Sequence, residues 1–270
     1  VGEPPATAHS AIDLIAEQAV ADLAMGASPS APDQGVSTER AVRLARLADA
    51  RLYLCTPRQP DFDAFLDGVL APSTSPAPSA ALGAPGVDLI QLREKGLEWR
   101  DEAAALERVR AAARRHGALV SGNDRADLAS VLSLDILHVG QDDIPPATAR
   151  RLLGPDMIIG LSTHDERQLE AALADPDVDY FCVGPVWPTP TKEGRPGVGT
   201  RLLEAAAAAA PPFLPGSKPW FAIGGIDEER LDTVLAAGAR RAVVVRAITG
   251  APDPAAASAR LATRLRVAAG

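Results

Sequence analysis

Residues 87–96 read VDLIQLREKG. Gln91, Arg93 and Lys95 are spaced by two, so while the chain stays extended they project to one side. Ile90 and Leu92 project to the other, where they suit packing against helices. A strand with an apolar outer face and cations toward its C-terminal end is what the mouth of a parallel barrel requires.

Similar runs lie on both sides of this stretch. Upstream is RLYLC (51–55); downstream come ALVSGN (118–123), ILHVG (136–140), MIIGLS (157–162), YFCVGPV (180–186), PWFAIGG (219–225) and RAVVVRA (241–247). Between them, Ala-, Leu- and Arg-rich stretches of helical period occupy 61–70, 97–116, 125–132, 146–153, 165–174, 200–210, 227–237 and 253–268. Eight strands, each followed by a helix, in roughly 220 residues predict an α/β fold of one kind: a single (β/α)8 barrel of the TIM type. A doubly wound open sheet is the competitor. It usually announces itself by a Gly-rich turn after the first strand, whereas here that strand runs into Thr56-Pro57-Arg58.

Residues 1–40 stand outside the repeat and read as an N-terminal extension, partly disordered. Within it, IDLIAEQAVADLAM (12–25) has the period of a short amphipathic helix and Gly26 to Gly35 has linker composition. Ser37-Thr38-Glu39-Arg40 opens a further helical segment. The barrel is assigned to 41–270, with a Pro/Ser/Ala-rich surface loop inserted at 71–86.

Composition narrows the function. Of 270 residues, 47% are apolar and 23% charged, which excludes a wholly disordered or fibrous chain. The net charge of −8 repels phosphodiester backbones, so nucleic acid is a poor partner, while a small anion in a local basic pocket stays open. Cys55 and Cys182 sit inside apolar runs and read as buried strand thiols of a reducing compartment. No apolar stretch approaches the ~18 residues of a membrane span, and the first ten residues carry no basic segment of a secretory leader. The expectation is a cytoplasmic protein with small-molecule partners and no membrane or nucleic-acid partner; its oligomeric state is not readable.

In a (β/α)8 barrel the site lies at the C-terminal strand ends, and the unusual residues fall there. Arg93 and Lys95 in a barrel interior are costly unless an anion meets them. Pairing with Glu94 or another internal acid is the alternative to a phosphorylated ligand, which suits both cations better. The next two strands end in Asn123-Asp124 and Asp142-Asp143. Alone, each reads as a helix cap. Together, beside the cations and with no thiolate cluster, they read as a Mg2+ site, since this ion takes one or two carboxylates and completes its shell with water and phosphate oxygens. Ser162, His164 and Asp165 invite a triad reading, but they are nearly contiguous and lack a Gly-x-Ser-x-Gly elbow. Ser162 as a hydrogen-bonding residue at the mouth, with Thr163 or Asp165 capping the helix, is preferred. The loop WPTPTKEGRPGVG (187–199) reads as a lid carrying Thr189, Thr191 and Lys192. Gly224-Gly225 and Val245-Arg246 end the last two strands, where barrels commonly bind phosphate through backbone amides.

With these residues in place, the chain strongly resembles the thiamine phosphate synthase (thiamine-phosphate pyrophosphorylase) family. The resemblance runs from residue 51 to about 266 through IQLREK (90–95), NDRADLA (123–129), HVGQDD (138–143), GLSTH (160–164), GPVWPTPTK (184–192), AIGGI (222–226) and VVVRAIT (243–249). It implies that Gln91, Leu92, Arg93, Glu94, Lys95, Asn123, Ser162 and Lys192 contact an aminopyrimidine diphosphate. Among these, Arg93, Lys95, Ser162 and Lys192 would serve catalysis. It implies Mg2+ on Asp124 and Asp143, and a thiazole phosphate on Thr189, Pro190, Thr191, Gly225, Val245 and Arg246. The implied reaction joins the two substrates into thiamine phosphate and releases pyrophosphate. Departures are the N-terminal extension, the 71–86 insertion and Arg246, where family members carry serine. Two alternatives share the barrel: a thiazole tautomerase-like isomerase and a non-catalytic binder of thiazole phosphate or thiamine phosphate. Neither needs the diphosphate and metal residues together.

Overall fold

The computed structural model describes residues 37–71, 86–189 and 196–268. Most of the extension, the interior of the 71–86 loop and the residues 190–195 lie outside them. Helix α1 (Thr38–Asp49) leads into eight strands: β1 (Leu52–Thr56), β2 (Leu89–Leu92), β3 (Leu119–Asn123), β4 (Ile136–Val139), β5 (Ile158–Thr163), β6 (Tyr180–Val183), β7 (Trp220–Ile223) and β8 (Ala242–Val244). They pair in parallel in chain order, and β8 pairs with β1 to close the barrel. The intervening helices are α2 (Phe62–Leu70), α3 (Trp99–His116), α4 (Ala126–Val131), α5 (Pro146–Leu153), α6 (Glu166–Ala174), α7 (Arg201–Ala209) and α8 (Leu231–Ala236). A short α9 (Arg246–Thr249) and the last helix, α10 (Pro254–Val267), follow β8.

Strand alternation divides the apolar residues into two layers. Tyr53, Leu89, Leu119, Ile136, Ile158 and Phe221 fill the barrel's inside together with both cysteines. Leu54, Ile90, Val120, Leu137, Ile159 and Phe181 face outward into the helices. Because both faces of each strand are buried, the strands read as near-continuous apolar runs. Helix α1 adds Leu47 and Ala50 to the inner layer and so closes the barrel at its base. Ser37 caps α1 by accepting from Arg40 N at 3.1 Å.

Acids at the base hold the strands in register. Asp88 accepts from Arg51 N and Leu52 N, Asp135 from Val120 N, and Asp179 from Ile159 N at 2.8 Å. Each also meets an arginine: Arg266 for Asp88, Arg43 for Asp135, Arg40 and Arg150 for Asp179.

The strand ends differ from the sequence expectation in a consistent way. The run 241–247 was expected to be strand throughout, yet β8 ends at Val244 and Arg246 starts α9. Among the described residues its strand partners are Leu52–Leu54 and Ala222–Ile223, so pairing runs out before the β-branched run does. Likewise β6 ends at Val183 ahead of Gly184-Pro185, where proline has no N–H to offer a ladder.

Candidate active site

A cavity of about 910 Å³ opens at the C-terminal strand ends. Its first wall comes from β2. Gln91 is buried, donates to Ser121 Oγ at 3.3 Å and accepts from the Cys55 thiol at 3.2 Å. Arg93 and Lys95 continue the same inward parity and line the cavity. Among the described residues, neither has a carboxylate within ion-pair distance. Glu94 instead takes a two-pronged bond from Arg58 at 2.8 and 2.9 Å. Leu92 is buried in the outer layer. Of the run 91–95 expected to contact one ligand, alternation therefore turns Gln91, Arg93 and Lys95 inward, and Leu92 and Glu94 do not line the cavity.

The next wall carries the acids. Asp124 sits at φ 61, a left-handed conformation that aspartate tolerates better than most side chains. Asn123 Nδ2 donates to its Oδ2 at 2.7 Å. Asp143 accepts from Gly140 N at 2.7 Å, and a Cβ on Gly140 would stand 2.9 Å from that same carboxylate oxygen. Partial enclosure, then the charge and hydrogen bond of Asp143, raise the Asp124 carboxyl to about 6. Two carboxylates so placed repel each other unless a proton or a cation lies between them. Among the described residues no cluster of three or more His, Cys, Asp or Glu exists to hold a metal. Two carboxylates beside space for phosphate and water nonetheless suit Mg2+, which does not require an all-protein cage.

The floor is a buried polar chain that the sequence reading passed over. His138 Nε2 pairs with Ser162 Oγ at 3.0 Å and its Nδ1 with the Tyr180 hydroxyl at 3.0 Å. Tyr180 fits there because Gly160 lacks a side chain: a Cβ would lie 2.2 Å from its ring. The available signal was parity, since Ile136 and His138 share the inward face of β4; a lone strand histidine reads as core without its neighbours. Gln141 Nε2 ties down the Ser162 carbonyl at 2.7 Å. The triad is not built: His164 Nδ1 meets the Gly184 carbonyl, and Asp165 caps α6 by accepting from Gln168 N at 2.7 Å.

The opposite rim is made by Thr189, Gly224, Gly225, Val245 and Arg246. Gly224 (φ 107) and Gly225 (φ 70) press against the loop after β6, where added Cβ atoms would come within 2.5 Å of Pro185 and 2.8 Å of Trp187. Pro190, Thr191 and Lys192, expected at this site, lie outside the described residues. No described helix is long and apolar enough to cross a membrane.

Fold and site define a (β/α)8-barrel enzyme acting on small molecules. The profile described as thiamine monophosphate synthase matches residues 52–248, and the chain belongs to that family. It is 56% identical over 228 residues to a thiamine-phosphate synthase of Acidothermus cellulolyticus, covering 83% of this chain and 99% of that one. A Streptomyces avermitilis protein of the same name is 52% identical over 224 residues, covering 82% and 96%. Among solved structures, the thiamine phosphate pyrophosphorylase from Pyrococcus furiosus superposes with a TM-score of 0.68 at 24% identity, covering 84% of this chain and all of that one. The shared fold extends to 3-hexulose-6-phosphate synthase, at a TM-score of 0.51 and 21% identity over 81% of this chain and 99% of that one.

Proposed function

We propose that the protein condenses 4-amino-2-methyl-5-(diphosphooxymethyl)pyrimidine with 4-methyl-5-(2-phosphooxyethyl)thiazole, giving thiamine phosphate and pyrophosphate. The observation that carries this reading is the placement of Arg93 and Lys95, without carboxylate partners among the described residues, in one cavity with the Asp124–Asp143 pair. Unneutralised cations beside paired acids suit a ligand that brings both negative charge and a divalent ion. A tautomerase or a simple thiazole phosphate binder has no use for that half of the cavity.

The pyrimidine ring enters above Gln91, and its diphosphate lies along Arg93, Lys95, Asn123 and Ser162. Asp124 and Asp143 would hold Mg2+, which would offset the charge of the diphosphate. The bond from the pyrimidine's methylene carbon to the diphosphate oxygen breaks, its electron pair leaving with pyrophosphate. The thiazole nitrogen then supplies its own lone pair to that carbon, so no general base is required. Arg93 and Lys95 contribute most as charge builds on the leaving oxygens, which is when a preorganised donor lowers the barrier. His138 holds the Ser162 oxygen in place, and Lys192 adds a further cation. Keeping water out prevents capture of the cationic carbon. The thiazole phosphate sits at Thr189–Thr191, Gly225 and Val245-Arg246.

The test is pyrophosphate release from purified protein with both substrates, with and without Mg2+. Release that needs all three components, with thiamine phosphate formed, is expected. Binding without release would favour the binder reading, and no binding of either substrate would overturn the assignment.

A further inference from the structure

Resting on that reading, we infer that Arg230 is a specificity-determining residue for the phosphate group of the second substrate. None of the sequence motifs includes it. Arg230 follows the β7 end by seven residues and lines the same cavity as Gly225, Val245 and Arg246. Its guanidinium lies over the Trp187 ring, 5.0 Å from the centroid, and NH1 donates to the Gly225 carbonyl at 2.8 Å. A Cβ on Gly225 would come within 3.2 Å of that NH1, so the cation is packed on the glycine itself.

Three consequences follow from this placement. A trans peptide points its C=O and N–H in opposite directions, so a donor anchored on the Gly225 carbonyl fixes the direction of the next N–H. Stacking on Trp187 occupies one face of the guanidinium and leaves its edge donors for a planar or tetrahedral oxyanion. The charge is poorly neutralised in place: Asp227 is 3.9 Å away, and its Oδ1 is already engaged by Arg230 N at 2.9 Å. Arg246, on the same rim, has no carboxylate within ion-pair distance among the described residues. Arg230 and Arg246 therefore line the rim where a phosphate monoester would lie. An uncharged alcohol in that place would leave Arg246 without a carboxylate among the described residues and Arg230 with Asp227 alone at 3.9 Å, which turns the pair into a filter for the phosphorylated form.

The experiment is equilibrium binding of thiazole phosphate, and of the corresponding thiazole alcohol, to the wild type and to Arg230→Gln. Steady-state KM values for both substrates accompany it. Arg230 is half exposed, so the substitution leaves the fold intact. The expected result is a rise of roughly 10- to 100-fold in the Kd and KM for thiazole phosphate, the range for a lost charge-assisted contact. Alcohol binding and the KM for the pyrimidine diphosphate should stay unchanged. Equal weakening of phosphate and alcohol would assign Arg230 a purely structural part on Trp187 and overturn the inference, as would unchanged phosphate binding. Because binding is measured without turnover, a wild type that binds thiazole phosphate but forms no thiamine phosphate would sink the proposed reaction while leaving the role of Arg230 to be decided by the binding comparison.

Discussion

At Asp124 the backbone is left-handed, and partial burial and the neighbouring Asp143 raise the carboxyl to about 6 against the opposing pull of Asn123 and Arg93. A residue held in a sparsely populated conformation beside a like charge costs stability and is retained where chemistry uses it. Asp124→Ala should keep the fold, since it removes repulsion, and lower Mg2+-supported kcat by ~10²- to 10³-fold, the usual cost of one electrostatic contributor. A Mg2+ titration of turnover decides it; an unchanged curve excludes Asp124 as a required ligand. Gly160 is the converse case, a residue whose importance is its missing side chain. Gly160→Ala drives a methyl into the Tyr180 ring inside a closed barrel. A cost of about 1–3 kcal/mol is expected from overpacking, visible as a Tm several degrees lower in thermal unfolding.

At the scale of elements, the two ends of each strand use charge in opposite ways. Base acids are consumed by backbone amides and arginines, while Arg93, Lys95 and Arg246 at the mouth have no carboxylate within ion-pair distance among the described residues. Asp179 is the sharpest instance, with a side chain only 6% exposed between Arg40 of α1 and Arg150 of α5. Asp179→Ala leaves the Ile159 amide without its acceptor, removes the carboxylate that Arg40 pairs with, and leaves Arg150 with Asp177 at 3.7 Å. Breaking such a cluster costs about 3–5 kcal/mol, or roughly 10 °C in Tm. The substrate KM values of the remaining folded protein should not move, because the change is at the far end of the barrel. A large KM effect with little loss of Tm would contradict this division of labour between strand ends.

For the whole molecule, a net charge of −8 accompanies a cavity whose lining sets Arg93, Lys95, Arg230 and Arg246 beside Asp124, Asp142, Asp143 and Asp227. The two contributions have different reach: the net field acts at long range and is screened by salt, whereas the cavity charges act at contact. Raising ionic strength from roughly 0.05 to 0.5 M, where the Debye length falls to a few ångströms, should relieve the long-range repulsion of the diphosphate and leave its KM unchanged or lower, with little change in kcat. A KM that climbs several-fold with salt would mean that exposed, screenable charges rather than cavity contacts bind it. The closed barrel is what brings β2, β3, β5, β7 and β8 to one rim, so residues as distant in the chain as Arg93 and Arg246 line one cavity.

Much of this was legible in the chain. Eight apolar runs punctuated by helical periods are enough to define a parallel barrel, because strands buried on both faces leave no alternation to confuse them with an antiparallel sheet. Parity within VDLIQLREKG separates Gln91, Arg93 and Lys95 from Ile90 and Leu92, and position at a strand's C-terminal end distinguishes site acids from base acids. What the chain could not determine is pairing across strands. Glu94 turned to Arg58, His138 joined Ser162 and Tyr180, and Arg230 settled on Trp187 and Gly225; each contact depends on how neighbouring strands and the loops after them pack side by side. Local periodicity is decided by neighbours a few positions apart and so is written in the sequence. Which polar groups satisfy one another depends on distances in three dimensions, and those arise only when the strands and the loops after them pack side by side.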